Sequence, residues 1–209
     1  MMERVKVFDS FYKQTGEEDI DVVHQNGLWH ETFHCWICSK KDNDIFVYLQ
    51  KRAATKKSHP SKIDVVVAGH LRNHENKYNG VREIKEEIGI DVKPEELLYL
   101  GKRIEVFESN NYFDHEFQHV FLLNKTLFGT SLTIQKEEVD CLVKARLNEL
   151  IDLFEDKIDS LLVPVLFTNN DLGEILVKKE DFVYRQDNYY LKALVLIDRF
   201  FKNEQHLYI

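Results

Sequence analysis

The sequence predicts an α+β fold built on a mixed β-sheet, with an additional helix toward the C-terminal end. Three observations predict it. Apolar, β-branched runs of strand length recur between clusters of turn residues, an acidic helical segment sits between two of those runs, and two amphipathic stripes follow the last of them.

In chain order, Val5–Phe11 and Ile20–Val23 read as strands joined by the polar turn KQTGEED, Lys13 to Asp19. Thr32–Ser39 and Ile45–Arg52 are apolar runs joined by KKDND, whose Asp and Asn residues tolerate turn geometry. Ile63–Ala68, IDVVVA, reads as a buried strand that runs into a loop at Gly69. The acidic helix follows and stops at Gly89, a residue free to take the left-handed conformation that ends helices. Leu97–Glu108 and Phe113–Leu123 read as long strands around the turn ESNN, and Val139–Ala145 as one more. Leu147–Asp156 carries Leu147, Leu150, Ile151 and Phe154 on one helical stripe; Asp187–Phe201 carries Tyr190, Leu191, Leu194 and Ile197 on another.

At 209 residues and 44% hydrophobic content the chain can bury one good core, so residues 1–209 are expected to form a single domain. Its core would span about 28–156, with N-terminal strands in 1–27 and a C-terminal helical extension in 157–209. Prolines and glycines are scattered rather than clustered, which argues against a linker, and there is no internal repeat. Acidic residues outnumber basic ones by 36 to 28, and the net charge of −8 speaks against long nucleic acids or anionic membranes as partners. No segment approaches membrane-spanning length and MMERVKVFDS lacks a signal-like apolar run, so the expectation is a cytoplasmic protein, compatible with a homodimer. Three cysteines make no disulfide framework. In HCWIC, Cys35 and Cys38 would point to opposite faces of a strand, and no second pair completes a zinc site, so both read as buried small hydrophobes.

The stretch that carries chemistry is GHLRNHENKYNGVREIKEEIGI, Gly69 to Ile90. Its helix would set Glu83 beside Glu86 and Glu87, and each like-charge pair costs about 0.2–0.5 kcal/mol. Arg82 can pair with Glu86 but cannot neutralise three carboxylates. A hard divalent cation, Mg²⁺ or Mn²⁺, would neutralise them, and an all-oxygen site suits these ions better than zinc.

These residues resemble the Nudix box, G-x5-E-x7-R-E-U-x-E-E-x-G-U with U aliphatic. Gly69 and Glu75 match its first half, and Arg82, Glu83, Ile84, Glu86, Glu87, Gly89 and Ile90 its second. The chain departs once, with six residues, Asn76 to Val81, where the pattern has seven. The resemblance implies the Nudix fold, a mixed sheet sandwiched between helices. It also implies metal binding by Gly69, Glu83, Glu86, Glu87 and Glu116, with Glu83 a ligand or the base and Arg82 orienting it. The shortened spacer leaves the role of Glu75 open.

Upstream, the segment from His24 to His70 is similar to the Nudix branch that also contains isopentenyl-diphosphate isomerase. That likeness implies diphosphate contacts from Arg52 and Lys56, a substrate contact from His70, and metal candidates in His24, His30, His70 and Glu116, with Asp114 beside it. Ala68 departs from it, since the isomerase carries its catalytic cysteine there. His34, His59, His74, His115, His119 and His206 give no separable signal. The expected function is a Mg²⁺- or Mn²⁺-dependent Nudix hydrolase that cleaves the diphosphate bond of a small organic or nucleoside diphosphate derivative. The alternatives are an isomerase-like enzyme and a non-catalytic ligand-binding module.

Overall fold

The computed structural model describes residues 3–109, 112–166 and 172–209. Strand β1 (Arg4–Phe8) pairs antiparallel with β2 (Gln14–Asp19), and helix α1 (Ile20–Asn26) then ends at Gly27. Two expectations are corrected here. The segment Lys13–Asp19 is strand rather than turn, because an edge strand paired with β1 alone can leave polar side chains in water. Ile20–Val23 is the first turn of α1 rather than a strand, and Val23 is the one residue of that helix to be buried.

Strands β3 (Trp29–Lys41) and β4 (Asp44–Arg52) form a hairpin closed at Asp42, whose φ of 55 lies in the region that Asp and Asn tolerate. The run Ile63–Ala68 divides into β5 (Ile63–Val65) and β6 (Val67–His70). The break at Val66 lets the chain change partner, since β5 pairs with β4 and β6 with β3. Helix α2 (Val81–Ile88) stops at Gly89, which takes φ 79 and donates its N–H to the Lys85 carbonyl. Strands β7 (Leu97–Ser109) and β8 (Tyr112–Asn124) pair along their whole length, while Asn110 and Asn111 of the ESNN turn lie outside the described residues. Strand β9 (Val139–Arg146) leads into helix α3 (Leu147–Phe154).

The extension 157–209 is not simply helical. It contains a hairpin, β10 (Leu161–Leu166) with β11 (Leu172–Val177), before helix α4 (Tyr189–Phe201). Pro164 obscures the first of these strands in the sequence, yet it stands where β10 pairs only with β11, and the two bridges to β9 come after it, at Val165 and Leu166.

The strands join one mixed sheet in the order β11-β10-β9-β4-β3-β1-β2, with β8 parallel to β3 and the other pairings antiparallel. Alternation along β3 sorts its side chains between two layers. Phe33, Cys35 and Ile37 pack with Ile84 and Ile88 of α2, whereas Trp36 and Cys38 pack with residues of α3 and α4. The sheet is therefore sandwiched between helices as expected, and Cys35 and Cys38 face opposite layers. Both thiols are buried, and burial pushes Cys38 up to about 12, as befits inert packing residues. Among the described residues no helix is long and apolar enough to cross a membrane.

Candidate active site

Arg82 opens α2 and is the hub of its acidic surface. Its Nε donates to Glu75 Oε1 at 2.6 Å and its Nη2 to Glu75 Oε2 at 3.0 Å and to the His70 carbonyl at 2.9 Å. Its Nη1 donates to Glu83 at 2.5 Å and to Glu86 at 3.0 Å. One guanidinium thus gathers three carboxylates, more than the Glu86 pairing expected from helical spacing. The shortened spacer still lets Glu75 reach Arg82 in the bidentate geometry that fixes a guanidinium plane, and the Arg72 N–H at 2.8 Å holds Glu75 in place.

Glu87 stands apart from that hub. It accepts from Gln50 Nε2 and from the Ala68 N–H, both at 3.3 Å. Glu83 and Glu87 are buried, while Glu86 is exposed. Burial pushes Glu83 up to about 7 against the pull of Arg82, and burial together with the Glu83 charge pushes Glu87 up. A cation would hold such carboxylates ionised, so the donor set fits a hard divalent ion. Gly69 is matched to them as well, since a Cβ there would lie 2.3 Å from the Glu83 carboxyl carbon.

Glu116 is placed elsewhere than expected. On β8 it pairs in register with His30 of β3, so it shares the face of His30 and His34. Helix α2 packs on the opposite face with Phe33, Cys35 and Phe121. Parity along the strand therefore sends Glu116 away from the helix glutamates.

What it joins is a second group of donors. His24 from α1, His30 from β3 and His70 from β6 have ring centroids 5.2 to 5.4 Å apart. Their ligand atoms lie within 4.8 Å of one another, as do those of His30, Asp114 and Glu116. Asp114 Oδ1 stands 3.5 Å from His30 Nε2 and 3.7 Å from His24 Nε2. His30 Nε2 and Asp114 Oδ1 are buried without a hydrogen bond among the described residues, a costly arrangement that a cation between them would relieve. Burial, then neighbouring His70, lowers His24 to about 3 and His30 to about 4, so both rings are neutral and can ligate. Burial and the charge of Glu116 push Asp114 up.

Two cavities converge on β6. One of about 580 Å³ is lined by His24, His70, Asp114 and Glu116, with His30 buried behind them, and one of about 700 Å³ is lined by the α2 glutamates. They share Lys56, Ala68, Gly69, His70 and Glu138. Residue parity on β6 explains the partition, since Gly69 faces Glu83 while Ala68 and His70 lie on the other side. Of the basic candidates, Lys56 is ion-paired with Glu138, and Arg52 donates to Ser58 at 3.1 and 3.2 Å. Sequence reading did not single out Asp64, Glu105 or Arg185, which also belong to this region. Asp64 carried a usable signal, because a lone acid inside the apolar run IDVVVA requires a buried partner. Arg185 carried none.

The NUDIX domain family model matches residues 28–161. An uncharacterized Nudix hydrolase of Clostridium acetobutylicum is 36% identical over 201 residues, covering 92% of this chain and 97% of that protein. Among solved structures, DR0079 of Deinococcus radiodurans is similar with a TM-score of 0.53 at 16% identity, over 74% of this chain and 90% of that one. A MutT/nudix family protein of Enterococcus faecalis is similar with a TM-score of 0.55 at 11% identity, over 85% of this chain and 65% of that one. At these identities the two structures speak to the fold alone.

Proposed function

The chain belongs to the Nudix family, and from that premise we propose that it is a divalent-metal-dependent hydrolase that cleaves the diphosphate bond of a small organic or nucleoside diphosphate derivative. The observation that carries this reading is the convergence of Glu83 and Glu86, both held by Arg82, with Glu87 in the lining of one cavity. By the family resemblance these glutamates and the Gly69 carbonyl would hold Mg²⁺ or Mn²⁺, which supplies neutralisation of the diphosphate and acidification of water. Arg82, locked by Glu75, fixes the orientation of Glu83. Glu83, which a bound cation would keep ionised and Arg82 keeps in place, is suited to accept a proton from the attacking water. Lys56 and Arg52, on the wall of the adjoining cavity, are suited to the oxygens of the second phosphate.

The test is a turnover screen with Mg²⁺ or Mn²⁺ over nucleotide sugars, dinucleoside polyphosphates, ADP-ribose, coenzyme A, thiamine diphosphate and isoprenoid diphosphates. Cleavage of the diphosphate link in one class is expected. Tight binding without turnover throughout would make the chain a ligand-binding module instead.

The histidine and acid group favours a second reading, an isomerase-like centre on allylic diphosphates. Ala68 opposes it, since a methyl group cannot exchange a proton with a carbocation-like intermediate. Incubation of isopentenyl diphosphate in deuterated water with Mn²⁺ or Zn²⁺ separates the readings. No deuterium incorporation is expected, and incorporation at a catalytic rate would move the working site to His24, His30, His70 and Glu116.

A further inference from the structure

We propose that Arg185, supplied by the segment beyond the matched domain, forms with Arg52 a two-arginine clamp for the outer phosphate of the substrate. The inference rests on the diphosphate-hydrolase reading above. Arg185 follows the C-terminal hairpin and lines the 580 Å³ cavity, as does Arg52 of β4. Between their roots lies Asp64 of β5. It accepts 2.8 and 2.9 Å hydrogen bonds from Arg185 Nη2 and the Tyr190 hydroxyl, and Arg52 Nη1 stands 3.7 Å away.

Two guanidinium groups therefore share one carboxylate in direct contact, and their charge is offset further only through space, by Glu116 and Glu105 acting on Arg185. The depth of the three groups decides where that charge is felt. The Asp64 side chain is 0% exposed, against 11% for Arg185 and 12% for Arg52, so the acid lies behind and the cations reach the cavity. Of the acids nearest this corner, Glu105 pairs with Arg103 at 2.5 Å, and Asp114 and Glu116 lie with His30, none of them within ion-pair distance of Arg52 or Arg185 among the described residues. His59, beside Phe107, is held neutral by burial and by the two arginines. The Nε of each arginine lacks a hydrogen-bond partner among the described residues. Those Nε atoms are buried, so a ligand in the cavity would be met by the Nη groups, whose N–H donors are not all spent on Asp64 and Ser58 and match the oxygens of a phosphate.

A purely structural arginine would tie the segment before α4 to β5 and leave ligand affinity alone, so the test measures affinity directly. Methylenediphosphonate, which cannot be hydrolysed at its bridge, is titrated calorimetrically into the protein with Mg²⁺. R185Q should weaken binding about tenfold or more and R185K about threefold or more, as expected for losing charge-assisted and bidentate bonds. Y190F, which removes the phenol from Asp64 and leaves both arginines, should bind within about twofold of wild type. On the substrate found by the screen, R185K should raise KM with little change in kcat. If R185Q does not fold, R185K carries the comparison, because it keeps a cation on Asp64. R185K with wild-type Tm and unchanged diphosphonate affinity would overturn the clamp. Absence of turnover with diphosphonate binding still dependent on Arg185 would overturn the hydrolase reading and leave the clamp standing.

Discussion

Gly69 has no room for a methyl group, because the Glu83 carboxyl carbon already stands 2.3 Å from where a Cβ would be. Gly69→Ala should therefore displace Glu83 and lower kcat about tenfold or more, the scale on which misplaced catalytic groups act. Circular dichroism and Tm should stay near wild type, and undiminished turnover would show that Glu83 does not need its observed position. Glu87→Gln keeps the shape and loses the charge, so kcat should fall about a hundredfold. A variant within about threefold of wild type would remove Glu87 from the metal face. Asp64 makes a different prediction, about pH. Burial alone would raise its pKa, but Arg185 and Arg52 override it and hold the group at about 2, below the ordinary aspartate value. Its stabilising contribution is thus complete above the unfolded value and is lost as pH falls through the folded one. The loss should be on the order of 2 kcal/mol. Urea titrations of wild type and Asp64→Asn should show a constant stability gap above pH about 4 that shrinks toward pH 2; a gap that is flat over this range would exclude the ion pair as the cause.

Helix α2 shows how much an element can reveal before it is folded. Its box residues, glycine stop and buried Ile84 and Ile88 follow from a pattern in which one face must be apolar and another must hold charge. Ile84→Ala should cost about 2–5 kcal/mol as a buried cavity, whereas Lys85→Ala, on the exposed face, should stay within about 0.5 kcal/mol. Equal effects in denaturant melts would mean that α2 does not pack as described. Strands β3, β4 and β8 were equally legible, since burial on both faces writes long apolar runs, and β7 and β9 were legible from apolar residues between turn signals. Edge elements were not. Strand β2 is polar because it meets β1 alone, α1 buries only Val23, and β10 tolerates Pro164 where no β9 partner needs an N–H. The site shows the same division. Residues of the box were legible because a short helix fixes their spacing, whereas the placement of Glu116 depends on the pairing of β8 with β3, a register that local sequence does not specify.

At the scale of the whole molecule, β6 separates two donor sets of different chemistry. The α2 side offers carboxylates, suited to Mg²⁺, and the β3 and β8 side offers three imidazoles with two acids, suited to zinc or manganese. Because ligands that bind only the folded state raise Tm, each ion should stabilise through its own set. At a concentration of about 100 Kd the gain is about 2.7 kcal/mol, or roughly 5–10 °C for a chain of this size. Thermal melts with Mg²⁺ or Zn²⁺ then give a two-by-two comparison. Glu87→Gln should lose most of the Mg²⁺ shift and keep the Zn²⁺ shift, while His30→Asn should do the reverse. The cross pattern follows from the geometry, since Glu87 reaches Ala68 and Gln50 and has no place in the histidine group, and His30 has none among the α2 glutamates. If either substitution abolishes both shifts, the two sets act as one centre and a substrate need not span β6. If the shifts separate, the shared wall of Lys56, Ala68, Gly69 and His70 becomes the path along which a diphosphate joins them, its cleaved link on the glutamate side and its outer phosphate in the cavity of Arg52 and Arg185.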